Sequence, residues 1–325
     1  VAGRRKSLLE LQVGQAVARI AGNYLAAAAK GAARLENPED PKALHAFRVA
    51  VRRLRSLLRL YEPWIGRAAG GKVSRGLREL TRSTNAARDL EVQQSWLAGR
   101  LEMLARSERA GAQWLARRLR DRGRRASRAS SANVHEDLSR VAKRLRNRLE
   151  EAAGDDSASY KAAIAGLAQS EAAKLRARMA LVAGADDTEG IHRARVQSKR
   201  LRYLVEPLRK DVPEARVAVR AMRKLQNLLG ELHDRHVLED MLAHYLEVAA
   251  TEKAHRLHAL AVAGDRGPLA REQRRDESQG LLALSARARG ERDRLFAALE
   301  RQWLGRGDEL LSREIGGLVR VLARE

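Results

Sequence analysis

Two histidines, His45 and His192, each open a run of cations whose types and spacing could hold a row of anionic groups. The first run is His45, Arg48, Arg52, Arg55 and Arg59, and the second is His192, Arg195, Lys199 and Arg202. At 100° per residue the first set falls within an arc of about 80°, one stripe along a helix. Like charges at i,i+4 cost a few tenths of a kcal/mol per pair in an isolated helix, so so dense a stripe is best explained by an anion that neutralises it. An Arg fork matches phosphate oxygens bidentately, and an imidazole N–H adds a donor at the end of the row. The competing reading is a solvated helix face. Arg outnumbers Lys in the stripes, both copies carry His at the same end, and almost no Asp or Glu interrupts them, which favours a ligand.

The elements that must position these cations are legible as apolar arcs beside the stripes. Leu44, Phe47, Val51, Leu54 and Leu58 form one arc, and Ile191, Ala194, Ser198, Leu201 and Val205 form the other, as amphipathic helices facing a core require. The two stretches repeat at an offset of 147 residues. A further stripe, Arg75, Arg78, Arg82 and Asn85, lies beside Leu77, Leu80, Thr84 and Ala87 on a helix expected from Gly70-Gly71 to about Ser107. It leads into Asn85–Leu90, matched by Gly230–Arg235 at an offset of 145, with Arg220 and Arg223 in the places of Arg75 and Arg78 and Asn227 replacing Arg82.

Along the chain, a first helix is expected from about Ser7 to Leu35, with Leu8, Leu11, Val17, Ile20 and Leu25 buried. Asp40 is a good N-cap with Pro41 in the first turn, and Asp187 stands at the matching place before His192. Both His would then lie near a helix N-terminus, where anions are favoured. The first striped helix should end around Tyr61–Trp64. Two helical pieces follow from Glu108 to about Ala153, divided by Gly123 and Ser127–Asn133, and their arginines are read as mainly solvated. Gly154–Ser157 is the expected boundary between repeats, giving units 1–154 and 155–325, and a helix from about Tyr160 to Val182 opens the second. Gly264–Gly280 is expected to be a loop before two final helices.

Lys and Arg number 64 against 41 Asp and Glu, a formal charge of +23, so the partner should be a polyanion. Aromatics are only 3%, which disfavours readers of single-stranded nucleic acid and RNA, since these stack bases on aromatic rings. There is no Cys, hence neither a disulfide framework nor a thiolate metal site. Only six prolines occur, and the intervals are rich in Ala, Leu, Arg, Glu and Lys, the composition of an all-helical protein. No apolar run reaches the length of a membrane span and no apolar leader opens the chain, so the expectation is a soluble, cytoplasmic protein.

The doubled His-x-x-Arg-x-x-x-(Arg/Lys)-Arg-Leu-Arg, each copy followed by (Arg/His)-Asp, resembles the CHAD family, the conserved histidine α-helical domain, from about residue 10 to about 305. The family's basic motif falls on His45, Arg48, Arg52, Arg53 and Arg55 and again on His192, Arg195, Lys199, Arg200 and Arg202, and its acidic position falls on Asp89 and Asp234. The resemblance implies an all-α fold of two four-helix bundles related by pseudo-twofold symmetry, with a central basic channel that binds inorganic polyphosphate. It also implies association with polyphosphate granules. Some members carry a triphosphatase domain with Glu-x-Glu-x-Lys, and no Glu-x-Glu occurs in this sequence. The expected activity is binding without catalysis and without cofactor, through the two motif copies together with Arg59, Arg75, Arg78, Arg82, Arg220 and Arg223.

Three alternatives stand beside this. Nucleic acid is the second partner for the same surface. A phosphoacceptor His is a third reading, but no G-x-x-x-x-G-K-[ST] loop and no carboxylate pair beside either His completes such a site. A metal reading rests on His233, His236, Asp240 and His244 on one helical face and on the Glu-x-x-His pairs Glu189/His192 and Glu252/His255; the 233–244 stripe is expected to be mostly surface, and no metal site is assigned. Asp89 and Asp234 are read as structural, orienting a stripe arginine. Trp64, Trp96, Trp114 and Trp303 are read as packing residues.

Overall fold

The structure is a computed structural model. It describes residues 6–37, 40, 42–66, 70–131, 133–153, 158–305 and 307–323. Its elements among these are helices: α1 (Val13–Arg34), α2 (Ala43–Leu60), α3 (Glu62–Ile65), α4 (Gly71–Ser83), α5 (Asn85–Ala98), α6 (Arg109–Ser131), α7 (Val134–Ala153), α8 (Tyr160–Ala180), α9 (Thr188–Val205), α10 (Pro213–Val262), α11 (Arg266–Arg274), α12 (Ser278–Leu299) and α13 (Gly307–Ala323), with short 3-10 and π turns between some of them. The chain is all-α, as its composition requires.

Packing sorts these helices into three groups. In the first half α1 packs on α2 and α7, and α4 packs on α2 and α7. In the second half α8 packs on α9 and α13, and α10 packs on α9 and α13. The order of partners therefore repeats, with α1, α2, α4 and α7 matched by α8, α9, the first part of α10, and α13. These eight share one core, and backbone bonds from Val13 N to the Ala158 carbonyl (3.0 Å) and from Tyr160 N to the Leu11 carbonyl (3.1 Å) tie α1 to α8. The third group takes elements from both halves: α5 and α6 pack with α12 and the later part of α10 around Trp96, Trp114, Leu115, Leu242 and Leu284. A division of the sequence at residue 154 does not describe this third core.

The apolar arcs are buried as expected. Leu44, Phe47, Val51, Leu54 and Leu58 on α2 are at most 7% exposed, and Ile191, Ala194, Ser198, Leu201 and Val205 on α9 at most 1%. Gly31 lets α1 approach α2 closely, because a Cβ there would stand 2.8 Å from the backbone N and Cα of Phe47. Trp96, Trp114 and Trp303 are buried, and Trp64 packs at the edge of the main core.

Several boundaries differ from expectation. The first helix begins at Val13, after a 3-10 turn at Leu8–Glu10 capped by Ser7. The helix expected to reach Ser107 breaks at Thr84 into α4 and α5, and a 3-10 turn, Leu101–Met103, follows. α6 runs straight through Gly123, which costs a helix only about 1 kcal/mol relative to Ala. The expected loop at 264–280 contains α11, whose Gly267 and Pro268 sit in the first turn, where Pro gives up no intrahelical bond. Asp40 does not cap α2, which starts at Ala43; its carboxylate instead pairs with Arg34 at 2.7 Å and accepts from Lys42 N at 3.0 Å. Asp187 does cap α9, accepting from Gly190 N at 2.8 Å. Pro41 and the expected boundary 154–157 lie outside the described residues.

Candidate functional site

The two striped helices, α2 and α9, pack against each other. Their cations consequently act on one another across the two halves. Lys199 on α9 is half-buried, and burial, followed by the charges of Arg195 on its own helix and Arg52 on α2, lowers it from 10.5 to about 6, with Asp234 opposing. His45 is also pushed down, first by burial and then by Arg88, Arg52, Arg48 and Lys199. Both acidic positions arrive at the same place. Burial raises the Asp89 and Asp234 carboxyls, each is held down by Arg195, and the charge of Asp234 adds to the rise at Asp89. Neither carboxylate lies within ion-pairing distance of a cation among the described residues, and the leading charge that opposes the rise is a stripe arginine in each case, Arg48 for Asp89 and Arg195 for Asp234.

Arg48 and Arg195 occupy equivalent places with unlike surroundings. The Arg48 guanidinium, 8% exposed, donates from Nη1 to the Thr81 carbonyl at 2.9 Å and to Thr84 Oγ1 at 2.7 Å, and from Nη2 to Asn85 Oδ1 at 2.8 Å. All three acceptors belong to the break between α4 and α5. Burial, aided by Arg52, lowers Arg48 to about 10. Arg195 has Asp234 of the unbroken α10 as its leading opposite charge instead, and among the described residues it makes no side-chain hydrogen bond and leaves its Nε buried without a partner.

The remaining predicted residues divide between two ends. Beyond the first half's stripe, Arg55, Arg75, Arg78 and Arg82 line a cavity of about 400 Å³ with Glu79 and Thr81, and Arg55 Nη1 donates to Thr81 Oγ1 at 3.3 Å. Arg200 is lowered by burial and then by the charge of Arg59, which brings it to this same end. At the other end Arg53 and Arg223 converge on Glu206, at 2.8 and 3.2 Å, with Arg209 at 3.9 Å. Arg53, Glu206 and Arg209 line a separate cavity of about 240 Å³ that also includes Tyr24. Arg202 lies over the Tyr203 ring at 4.8 Å, and Arg220 is exposed. His192 is exposed, with its ring 5.2 Å from that of His233.

Two residues escaped the sequence reading as site members, Arg88 and His233. The offset of 145 aligns them, and that was the available signal. Arg88 pairs with Glu91 at 2.9 Å while its charge reaches His45, Asp89 and Asp234. Burial and then Arg195, His192 and Lys199 lower His233 to about 4. The 233–244 stripe is divided: Asp240 and His244 are exposed and His233 is half-buried, while His236 is 5% exposed, with Nε2 2.8 Å from the Ala185 carbonyl. Among the described residues no three His, Asp or Glu side chains are grouped so as to hold a metal ion.

A sequence model described as the CHAD domain matches residues 19–243. The chain belongs to the CHAD family. A solved structure titled as the crystal structure of the CHAD domain from the plant Ricinus communis is similar to this CHAD chain, with a TM-score of 0.65 and 24% identity over 86% of this chain and 93% of that one. No curated protein sequence matches it. The CHAD motif residues His45, Arg48 and Arg52 of one repeat thus stand beside Arg195 and Lys199 of the other, where α2 meets α9.

Proposed function

We propose that this CHAD protein binds inorganic polyphosphate, without turnover, along a basic channel that runs where α2 and α9 meet and continues over the arginines beyond. In this reading the halves are related by a pseudo-twofold rotation. The observation that carries it is the concentration of Arg52, Arg195 and Lys199 from both repeats, with no carboxylate within ion-pairing distance of any of them among the described residues, and with Lys199 lowered to about 6 by burial first and then by the charges of Arg195 and Arg52. Cations held this way are destabilised by desolvation and mutual repulsion, and a polyanion relieves both. Polyphosphate presents only charge and spacing, and cations at i,i+3,i+4 supply a matching row about 5–6 Å apart. His45, His192 and the flanking cations Arg55, Arg59, Arg75, Arg78, Arg82 and Arg200 extend it.

Family membership is consistent with phosphate-polymer binding in general. Action in the cytoplasm, with polyphosphate granules as a place of association, belongs to the same proposal. Among the described residues no helix is long and apolar enough to cross a membrane. Competition of polyphosphate against DNA and RNA of equal charge tests the reading. Polyphosphate should displace nucleic acid, because a groove fitted to bare phosphates has no room for sugars and bases. Displacement in the opposite order would make nucleic acid the partner.

A further inference from the structure

The two ends of the basic surface are built from equivalent positions, yet they differ in how their charges are paired. Glu206 stands 147 residues after Arg59, the same offset that relates the stripes. It is 6% exposed at the end of α9, and its Oε1 gathers Arg53 at 2.8 Å, Arg223 at 3.2 Å and Arg209 at 3.9 Å, while Oε2 is buried without a partner. Arg53 is the counterpart of Arg200, and Arg223 that of Arg78. At the first end the corresponding Arg59, Arg78 and Arg200 have no carboxylate within ion-pairing distance among the described residues, Glu79 lining the cavity there without pairing to them. Glu171, whose charge reaches Arg200, bonds Lys174 at 2.6 Å and Gln197 at 2.8 Å instead. The second end carries Asn227 where the first has Arg82, and Lys224 where the first has Glu79, so the ends are told apart by the pairing at Glu206 and not by a count of charges.

We propose that Glu206 closes the second end to phosphate, so that a linear polyphosphate held where α2 meets α9 continues over Arg55, Arg59, Arg78, Arg82 and Arg200 only. Glu206 then sets a one-sided footprint. Its carboxylate holds the guanidinium groups of Arg53 and Arg223, which a phosphate would otherwise engage, and its own charge repels the chain. This rests on the polyphosphate reading above and adds a direction to it.

The salt dependence of affinity counts the contacts, each contributing about 0.7–0.9 to the log–log slope by analogy with nucleic acids. Long-chain polyphosphate is titrated against the wild type and against Arg78→Gln, Arg223→Gln and Glu206→Gln. Arg78→Gln should flatten the slope by about one contact, and Arg223→Gln should leave it unchanged. Glu206→Gln should steepen it by up to about two contacts as Arg53 and Arg223 are released. Equal flattening by Arg78→Gln and Arg223→Gln overturns the proposal, and so does a folded Glu206→Gln variant with the wild-type slope. Arg78 and Arg223 are both exposed on helices, so their comparison stands even where the Glu206 variant does not fold. Failure of the polyphosphate reading is seen separately, in the wild type alone, as absence of salt-sensitive binding.

Discussion

Arg48 and Arg195 share a motif position but not a task. Three charge-assisted bonds tie Arg48 to Thr81, Thr84 and Asn85, whereas Arg195 makes none among the described residues and is lowered by burial, with the charge of Asp234 opposing and that of Arg52 adding. Arg48→Met should therefore lower unfolding stability by about 2 kcal/mol, the scale of a hydrogen bond to a charged group. Arg195→Met should leave stability unchanged while weakening polyphosphate binding, and chemical denaturation beside titration separates the two. Lys199 supplies a pH signature. It is depressed to about 6 in the free protein, and a bound polyanion would raise it, so binding takes up a proton. Affinity should fall as pH rises from about 6 to 8, by up to tenfold per unit for one proton. His45 and His233, also depressed, act in the same direction. Lys199→Arg keeps the charge across this range and should flatten the profile; an unchanged pH profile in that variant would exclude Lys199 as its source.

At the scale of elements, α2 is held for its task by Gly31 of α1, whose missing side chain admits the backbone of Phe47. Gly31→Leu should cost about 3 kcal/mol through overpacking, read as a lowered Tm. The apolar arcs of α2, α4 and α9 were legible in the sequence because one buried face imposes a 3.6-residue period whatever the partner. The break between α4 and α5 was not, since it depends on Thr84, fully buried, whose hydroxyl sits 3.0 Å from the Leu80 and Thr81 carbonyls and accepts from Arg48. That is a tertiary contact across 36 residues. Gly123 misled for a similar reason: it makes room within α6 for Gln94, which donates to the Leu119 carbonyl at 2.6 Å. Thr84→Leu, which installs the residue found at the equivalent place in the continuous α10, should release Arg48, and an altered Arg48 guanidinium signal by NMR would report it.

Across the whole molecule, the duplication made two equal stripes at an equal offset readable, and the meeting of α2 with α9 was what the family resemblance implied. Where the copies diverge, the sequence alone could not assign a consequence. Arg53 and Arg223 read as members of the stripe until Glu206, in the register of Arg59, is seen to gather them. The third core, shared by α5, α6, α10 and α12, was likewise hidden, since nothing in a period says which half a buried face will meet. A formal charge of +23 gives attraction to any polyanion, and only the local concentration of Arg52, Arg195 and Lys199 gives a place. The most direct test is the affinity for long-chain polyphosphate as a function of salt, in the wild type and in a variant with Arg48, Arg52, Arg195 and Lys199 neutralised together. Binding that weakens about a thousandfold from 50 to 200 mM salt in the wild type, and is largely lost in the variant, is the expected result. An affinity indifferent to salt, or one the quadruple variant retains, would contradict the account.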